Sequence, residues 1–144
     1  MRLFNLVILS IIIVGINSCG KPSTQPDSFF VSFKATLNGA GETPANGSAA
    51  TGTATATYNK STQILIININ FSGLTPTSIK LFKGAAGTTG TLVFTIPGST
   101  SPVNYTSVAL TSTQEADLLA NLYYINIQSA AYTNGEIRGQ LIKQ

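Results

Sequence analysis

The chain carries one thiol, five carboxylates and no imidazole, and that inventory decides which reactions it can host. Ser-His-Asp and Cys-His centres need a histidine as base, so neither can be assembled. Zinc and copper sites of the usual kind draw on imidazole or thiolate ligands, and Cys19 is the one such side chain in the sequence. Hydrolysis by a carboxylate pair would need two of Asp27, Glu42, Glu115, Asp117 and Glu136 to converge. Asp27 falls in a polar leader, and Glu115 and Asp117 fall in the first turn of a predicted helix, where they complement its dipole. That leaves Glu42 and Glu136. Two further polar residues draw notice: Arg138 lies two positions beyond Glu136 on a predicted strand, so both point to one face. They are read as a structural pair, or as each bonding a neighbouring strand or loop; together with Gln128 they form a candidate cluster for a ligand. Gly84, Gly87 and Gly90 recur every three residues, unlike a dinucleotide fingerprint, and no Gly-Lys-Ser/Thr follows, so they are read as a turn. No catalytic residue, metal or cofactor is expected.

Cys19 has a second context. One basic residue, Arg2, precedes an apolar run from Leu3 to Ile16, and small or polar residues lead to the cysteine, the layout of a secretory signal peptide. At 14 residues the run is short for a membrane span, which takes about 20. Ile16-Asn17-Ser18-Cys19 resembles the bacterial lipobox, which implies that the thiol receives a diacylglycerol, with acyl chains of the palmitate class, and becomes the first residue of the mature protein. Residues 1–18 are thus expected to be a lipoprotein signal peptide. Residues 19–28, polar and proline-punctuated, are expected to be a flexible tether. The anchor places the protein outside the cytoplasmic membrane. Lys21 after Gly20 shows no acidic retention signal, which favours the outer membrane.

Residues 29–144 fit one domain. No cysteine follows Cys19, so this domain has no disulfide and depends on core burial. The lysines and arginines are scattered instead of clustered, which argues against a nucleic-acid partner.

Period-two patterns run through the domain. Val31, Phe33, Ala35 and Leu37 share one face of a strand. Thr51–Tyr58 is a β-branched alternating run, and residues 59–62 read as a hairpin turn. In the strand from Gln63 to Phe71, Leu65, Ile67, Ile69 and Phe71 face one way. Ile64, Ile66, Asn68 and Asn70 face the other, which predicts a central strand partly covered on both sides. Strands are predicted over 78–82 and 91–96, flanking the glycine-punctuated loop, and a weaker one over 103–110. Ser112-Thr113-Gln114-Glu115 has the capping-box form and opens a short helix striped by Ala116, Leu118, Leu119 and Leu122. A strand over 123–128 and a final one over 136–142 follow. The fold class expected is all-β: a two-sheet antiparallel sandwich, Greek-key and immunoglobulin-like, of about eight strands with one short helix before the penultimate strand.

Several segments carry a resemblance. Phe33-Lys34-Ala35-Thr36-Leu37-Asn38-Gly39, Glu42-Thr43-Pro44, Phe71-Ser72-Gly73-Leu74, Lys83-Gly84-Ala85-Ala86-Gly87, Tyr124-Ile125-Asn126-Ile127-Gln128-Ser129 and Gly135-Glu136-Ile137-Arg138-Gly139-Gln140-Leu141 occur in that order. Together they resemble the CHRD domain, named for chordin and also found alone in bacterial secreted proteins. The resemblance implies a His-x-His pair and a His-Thr at positions that here are Lys80, Phe82, Gln128 and Ser129. A metal or polar site built on those imidazoles has no counterpart in this chain. The expectation is therefore a lipid-anchored, non-catalytic binding or structural module, partnered by the membrane and by an envelope protein or glycan. Tyr58, Tyr105, Tyr123, Tyr124 and Tyr132 are the candidate sugar-stacking residues, against the alternative of core packing.

Overall fold

The computed structural model describes residues 28–144. The expected signal peptide, Cys19 and all of the expected tether but Ser28 lie outside the described residues.

Alternation of apolar and polar side chains becomes alternation of inside and outside. β1 (Phe30–Asn38) buries Val31, Phe33, Ala35 and Leu37, while β2 (Thr51–Asn59) turns Ala54, Ala56 and Tyr58 inward and its threonines out. β3 (Ile64–Ser72) buries Leu65, Ile67 and Ile69. β4 (Pro76–Lys83), β5 (Thr91–Ile96) and β6 (Val103–Thr106) follow. Then come α1 (Ser112–Leu119), β7 (Tyr123–Ser129), β8 (Ile137–Gln140) and the short β9 (Ile142–Lys143). Every pairing is antiparallel.

The strands make one hydrogen-bonded path, β5-β4-β7-β8-β1-β2-β3-β6, with β9 also on β1. This differs from the expected pair of sheets. β8 joins the halves, because Arg138 pairs with Asn126 of β7 on one side and with Asn38 of β1 on the other. Gly139 permits that approach: a Cβ there would lie 2.5 Å from the Thr36 carbonyl oxygen. The path then curls until its two edge strands meet. Phe94 of β5 and Tyr105 of β6, both on core-facing registers, lie with ring centroids 6.0 Å apart. The result is nearly a barrel, sealed along one seam by side chains instead of backbone bonds.

On the outer face of β3, Ile64 and Asn68 are half-buried and Ile66 is exposed. Two local expectations change. The capping box is shifted by one residue: Thr111 is the N-cap, its hydroxyl accepts from Gln114 N, and the Gln114 side chain accepts from Thr111 N. The final strand breaks at Leu141, whose N–H donates to Tyr123 O while its side chain enters the core. The chain thereby passes from its ladder with β7 to a second ladder on β1.

α1 closes one end of the barrel. Leu118 is fully buried there, and Asp117 pairs with Lys83 at 2.8 Å. Burial, reinforced by the Glu115 carboxylate, pushes the Tyr58 hydroxyl up to about 12; burial and Asp117 do the same to Tyr123. The acidic face of the helix therefore sits near the two core tyrosines. The opposite end carries the loops 39–50 and 129–136, while the glycine-rich loop 84–90 leaves from the α1 end, between Lys83 and Thr91.

Candidate functional site

On the half of the barrel formed by β4, β7 and β8, the exterior is also buried, because loops fold back over it. The registers put Lys80, Asn126, Arg138 and Asn38 in one row across four strands, with Phe82, Tyr124 and Gln140 in the next. Arg138 is almost completely buried, with its guanidinium carbon 3.4 Å from the Tyr124 ring centroid. Tyr124 in turn stacks on Phe82, centroids 5.4 Å apart and planes 11° from parallel. Arg138 Nη1 donates to Thr88 O at 2.8 Å and Thr43 Oγ1 at 3.4 Å, and Nη2 donates to Ala85 O at 3.2 Å. Gln140 Nε2 donates to Gly84 O, and Tyr124 Oη accepts from Gly90 N. The glycine-rich loop is thus pinned to the sheet by three side chains.

The second covering loop, 39–50, is held by its own contacts. Asn46 Nδ2 donates to the carbonyls of Gly135 and Glu136, and Ser48 Oγ donates to Glu136 Oε1 at 2.6 Å. Asn126 Nδ2 donates to both Glu42 oxygens, at 3.0 and 3.1 Å, and to Asn134 O. This knot sits directly over Gly135, where a Cβ would overlap Asn126 Nδ2 and both Glu42 oxygens. Glu42 divides two open clefts. One, about 290 Å³, runs past Thr43, Asn46, Tyr132 and Asn134; the other, about 270 Å³, is lined by Asn38, Gly87, Arg138 and Gln140.

The structure gives the three sequence-predicted residues separate surroundings. Arg138 joins Glu42, Asn126 and the glycine loop, whereas Glu136 takes Ser48 as partner. Gln128 stands opposite Ser78, one step along β7 from the row containing Asn126 and Arg138. Glu42 and Glu136, the carboxylates singled out from the sequence, each have a separate hydrogen-bond donor. Of the positions where the resemblance implied histidines, Lys80, Phe82 and Gln128 lie on this outer face, while Ser129 is buried and its Oγ accepts from Tyr132 N. Asn126, Tyr124 and Gln140 are central to the arrangement. Their isolated types carry no signal, although all three fall inside the motifs that carry the resemblance.

A family model for the CHRD domain matches residues 33–141, from the middle of β1 to the break before β9. The chain belongs to the CHRD domain family. Neither the curated proteins nor the solved structures contain a match. In this CHRD domain the motif residues Glu42, Gly84, Tyr124, Asn126, Gly135, Glu136, Arg138 and Gln140 converge, through strand pairing and loop contacts, on the buried exterior patch just described.

Desolvation raises the Glu42 carboxyl from 4.5 to about 7, outweighing the opposing effects of Arg138 and of the hydrogen bonds from Thr43 and Asn126. A carboxyl raised in the folded state favours folding fully below its unfolded value, and that contribution disappears as pH climbs through the folded value. Stability of the wild type is therefore expected to fall between pH 4.5 and about 7. The full linkage would approach about 3 kcal/mol, but Glu42 is only half-buried and solvent screening reduces this to about 1 kcal/mol. Glu42→Gln is expected to flatten that segment of the profile, making the variant the more stable protein at pH 8 and not at pH 4. Urea titrations across this range check it; an unchanged slope would remove Glu42 as the cause.

Proposed function

We propose that this protein is a lipid-anchored, extracytoplasmic CHRD module that binds or organises another envelope component and catalyses no reaction. The observation that carries the non-catalytic reading is how the polar patch is used. Arg138, Gln140 and Tyr124 are committed to backbone groups of the glycine loop, and Asn126 and Ser48 to the two carboxylates. These bonds fix the shape of the clefts and engage both carboxylates as acceptors, Glu42 from Asn126 and Glu136 from Ser48. The anchor reading rests on the Leu3–Ile16 run and the lipobox-like approach to Cys19. Residues 19–28 would then tether the domain to a membrane, by preference the outer one.

Cys19→Ala tests the anchor. The wild type is expected in the membrane fraction with a diacylglycerol on its N-terminal peptide, and the variant without that modification. An unmodified wild-type peptide beginning at another residue would overturn the reading.

A surface glycan is the second reading, favoured by the cleft that brings Tyr132 beside Glu42, Asn46 and Asn134. Planar amides, a carboxyl and an aromatic ring suit polyhydroxylated ligands. Tyr58, Tyr123 and Tyr124 are buried, so stacking in this cleft would fall to Tyr132. Glycan-array binding that persists unchanged in Tyr132→Ala would exclude it.

A further inference from the structure

The exposed large apolar side chains are not scattered. Among the described residues they are Phe29, Phe30, Ile66, Leu92, Val108 and Ile142, each between 46% and 71% exposed. Strand registers place Phe30, Ile66, Leu92 and Val108 toward the same end of the barrel, with Phe29 just before Phe30 and Ile142 level with the middle of β1. Phe30 opens β1 opposite Asn59, the last residue of β2, which in turn pairs with Ile64 at the start of β3. Ile66 pairs with Thr106, the last residue of β6, and Val108 lies two residues further on. Leu92 pairs with Phe82 near the end of β4, and Ile142 follows β8 and pairs with Lys34. This is the end closed by α1, opposite the polar clefts.

Charge at this end has the matching sign. The Lys60 N–H donates to Phe29 O, Lys143 adjoins Ile142, and Lys34 pairs with it. The acids here, Glu115 and Asp117, belong to α1, and Asp117 is paired with Lys83. Apolar side chains rimmed by lysine are the surface that anionic lipid interfaces attract. The described chain also begins here: Ser28 and Phe29 lead directly back into residues 1–27, with Cys19 nine positions before Ser28.

We propose that the α1 end of the barrel is a lipid-contact surface, which seats the domain on an anionic bilayer and turns the Glu42 clefts away from it. The proposal rests on the anchor reading only for which bilayer it meets. A short polar tether alone would leave the domain free to tumble. With the rim seated, Phe29 and Phe30 enter the interface beside the point of attachment, and the loops 39–50 and 129–136 project into solvent.

Spin labels test this in the full chain reconstituted into phosphatidylethanolamine vesicles containing phosphatidylglycerol. Labels are introduced through Ile66→Cys, Val108→Cys and, at the opposite end, Thr133→Cys, with the signal of the parent protein subtracted. All three sites are solvent-facing, so the fold tolerates them. The labels at 66 and 108 are expected to show a several-fold higher ratio of oxygen to nickel-chelate accessibility than the label at 133. Exchanging phosphatidylglycerol for phosphatidylcholine is expected to lower that ratio. Labels at 66 and 108 as aqueous as that at 133 overturn the proposal, and so does shielding from both oxygen and nickel, which would mean a protein partner on this rim. Lipidation is scored separately from the mass of the N-terminal peptide. Loss of the anchor reading with interfacial labels, or interfacial labels lost with lipidation intact, therefore separates the two failures.

Discussion

Arg138→Met is expected to destabilise the domain by about 3 kcal/mol, because a buried guanidinium that satisfies several acceptors is replaced by a side chain that satisfies none. The Thr88 and Ala85 carbonyls lose their Arg138 donors, and the cation over the Tyr124 ring disappears. The loss should extend beyond stability. Freed from Arg138, the glycine loop is held by Gln140, Tyr124, the Gly84 N–H bond to Leu122 O and its own short contacts, so the Gly90 amide, which donates to Tyr124 Oη, should exchange faster with solvent. A third consequence has a definite sign. Arg138 is the charge that holds Glu42 down against desolvation, so in the variant the Glu42 carboxyl should titrate above its wild-type value of about 7. Chemical-shift titration of Glu42 and amide exchange at Gly90 read these effects independently. Arg138→Lys retains the charge without the fork, and should restore the Glu42 titration more fully than the stability. A methionine variant with wild-type exchange at Gly90 and an unmoved Glu42 would show that Arg138 only fills space.

Gly135→Ala is expected to be comparably severe for a different reason. Gly135 has φ +149°, and the space its missing side chain leaves is occupied by Asn126 Nδ2 and the Glu42 carboxyl. A methyl group must therefore strain the backbone and also push apart a partly buried hydrogen-bonded knot, for a combined cost of about 3 kcal/mol and a drop in Tm of roughly 10 °C. Gly87→Ala is the internal control. It shares a positive φ, +74°, but faces open space, so only the backbone term of about 1 kcal/mol applies. Expelling Glu42 into water should also return its titration toward 4.5 in the Gly135 variant and not in the Gly87 variant. Equal thermal losses in the two proteins would mean that the knot over Gly135 contributes nothing beyond backbone strain.

The strands and their inward faces were legible because burial is recorded locally. Val31, Phe33, Ala35 and Leu37, or Leu65, Ile67 and Ile69, alternate with polar neighbours, and each set is buried as its period predicts. The helix was legible for the same reason, although its cap lies one residue earlier. The exterior was harder. Ile64 and Ile66 imitate the second buried face of a central strand, yet Ile64 is half-buried and Ile66 exposed. Tyr124 and Asn126 look like one more alternating exterior, yet they are buried. The difference lies in where loops 39–50 and 84–90 fold back, and short-range periodicity carries no record of that.

The candidate site shows the same division. Its members are individually visible: Glu42 as one of few acids, Arg138 beside Glu136, the glycines as a loop. Their association spans great separations, Asn126 meeting Glu42 across 84 residues and Arg138 meeting Thr43 across 95. By itself, the sequence established an all-β domain without disulfides or imidazole chemistry, and it carried the motifs of the CHRD family. The tertiary structure decided that the strands form one curled sheet instead of two, that Arg138 and Glu42 share a loop-covered exterior, and that the apolar rim gathers at one end. Composition and period act residue by residue, whereas strand partners and loop coverage depend on closing the chain over long distances. That closure is specified only when all the strands are paired at once.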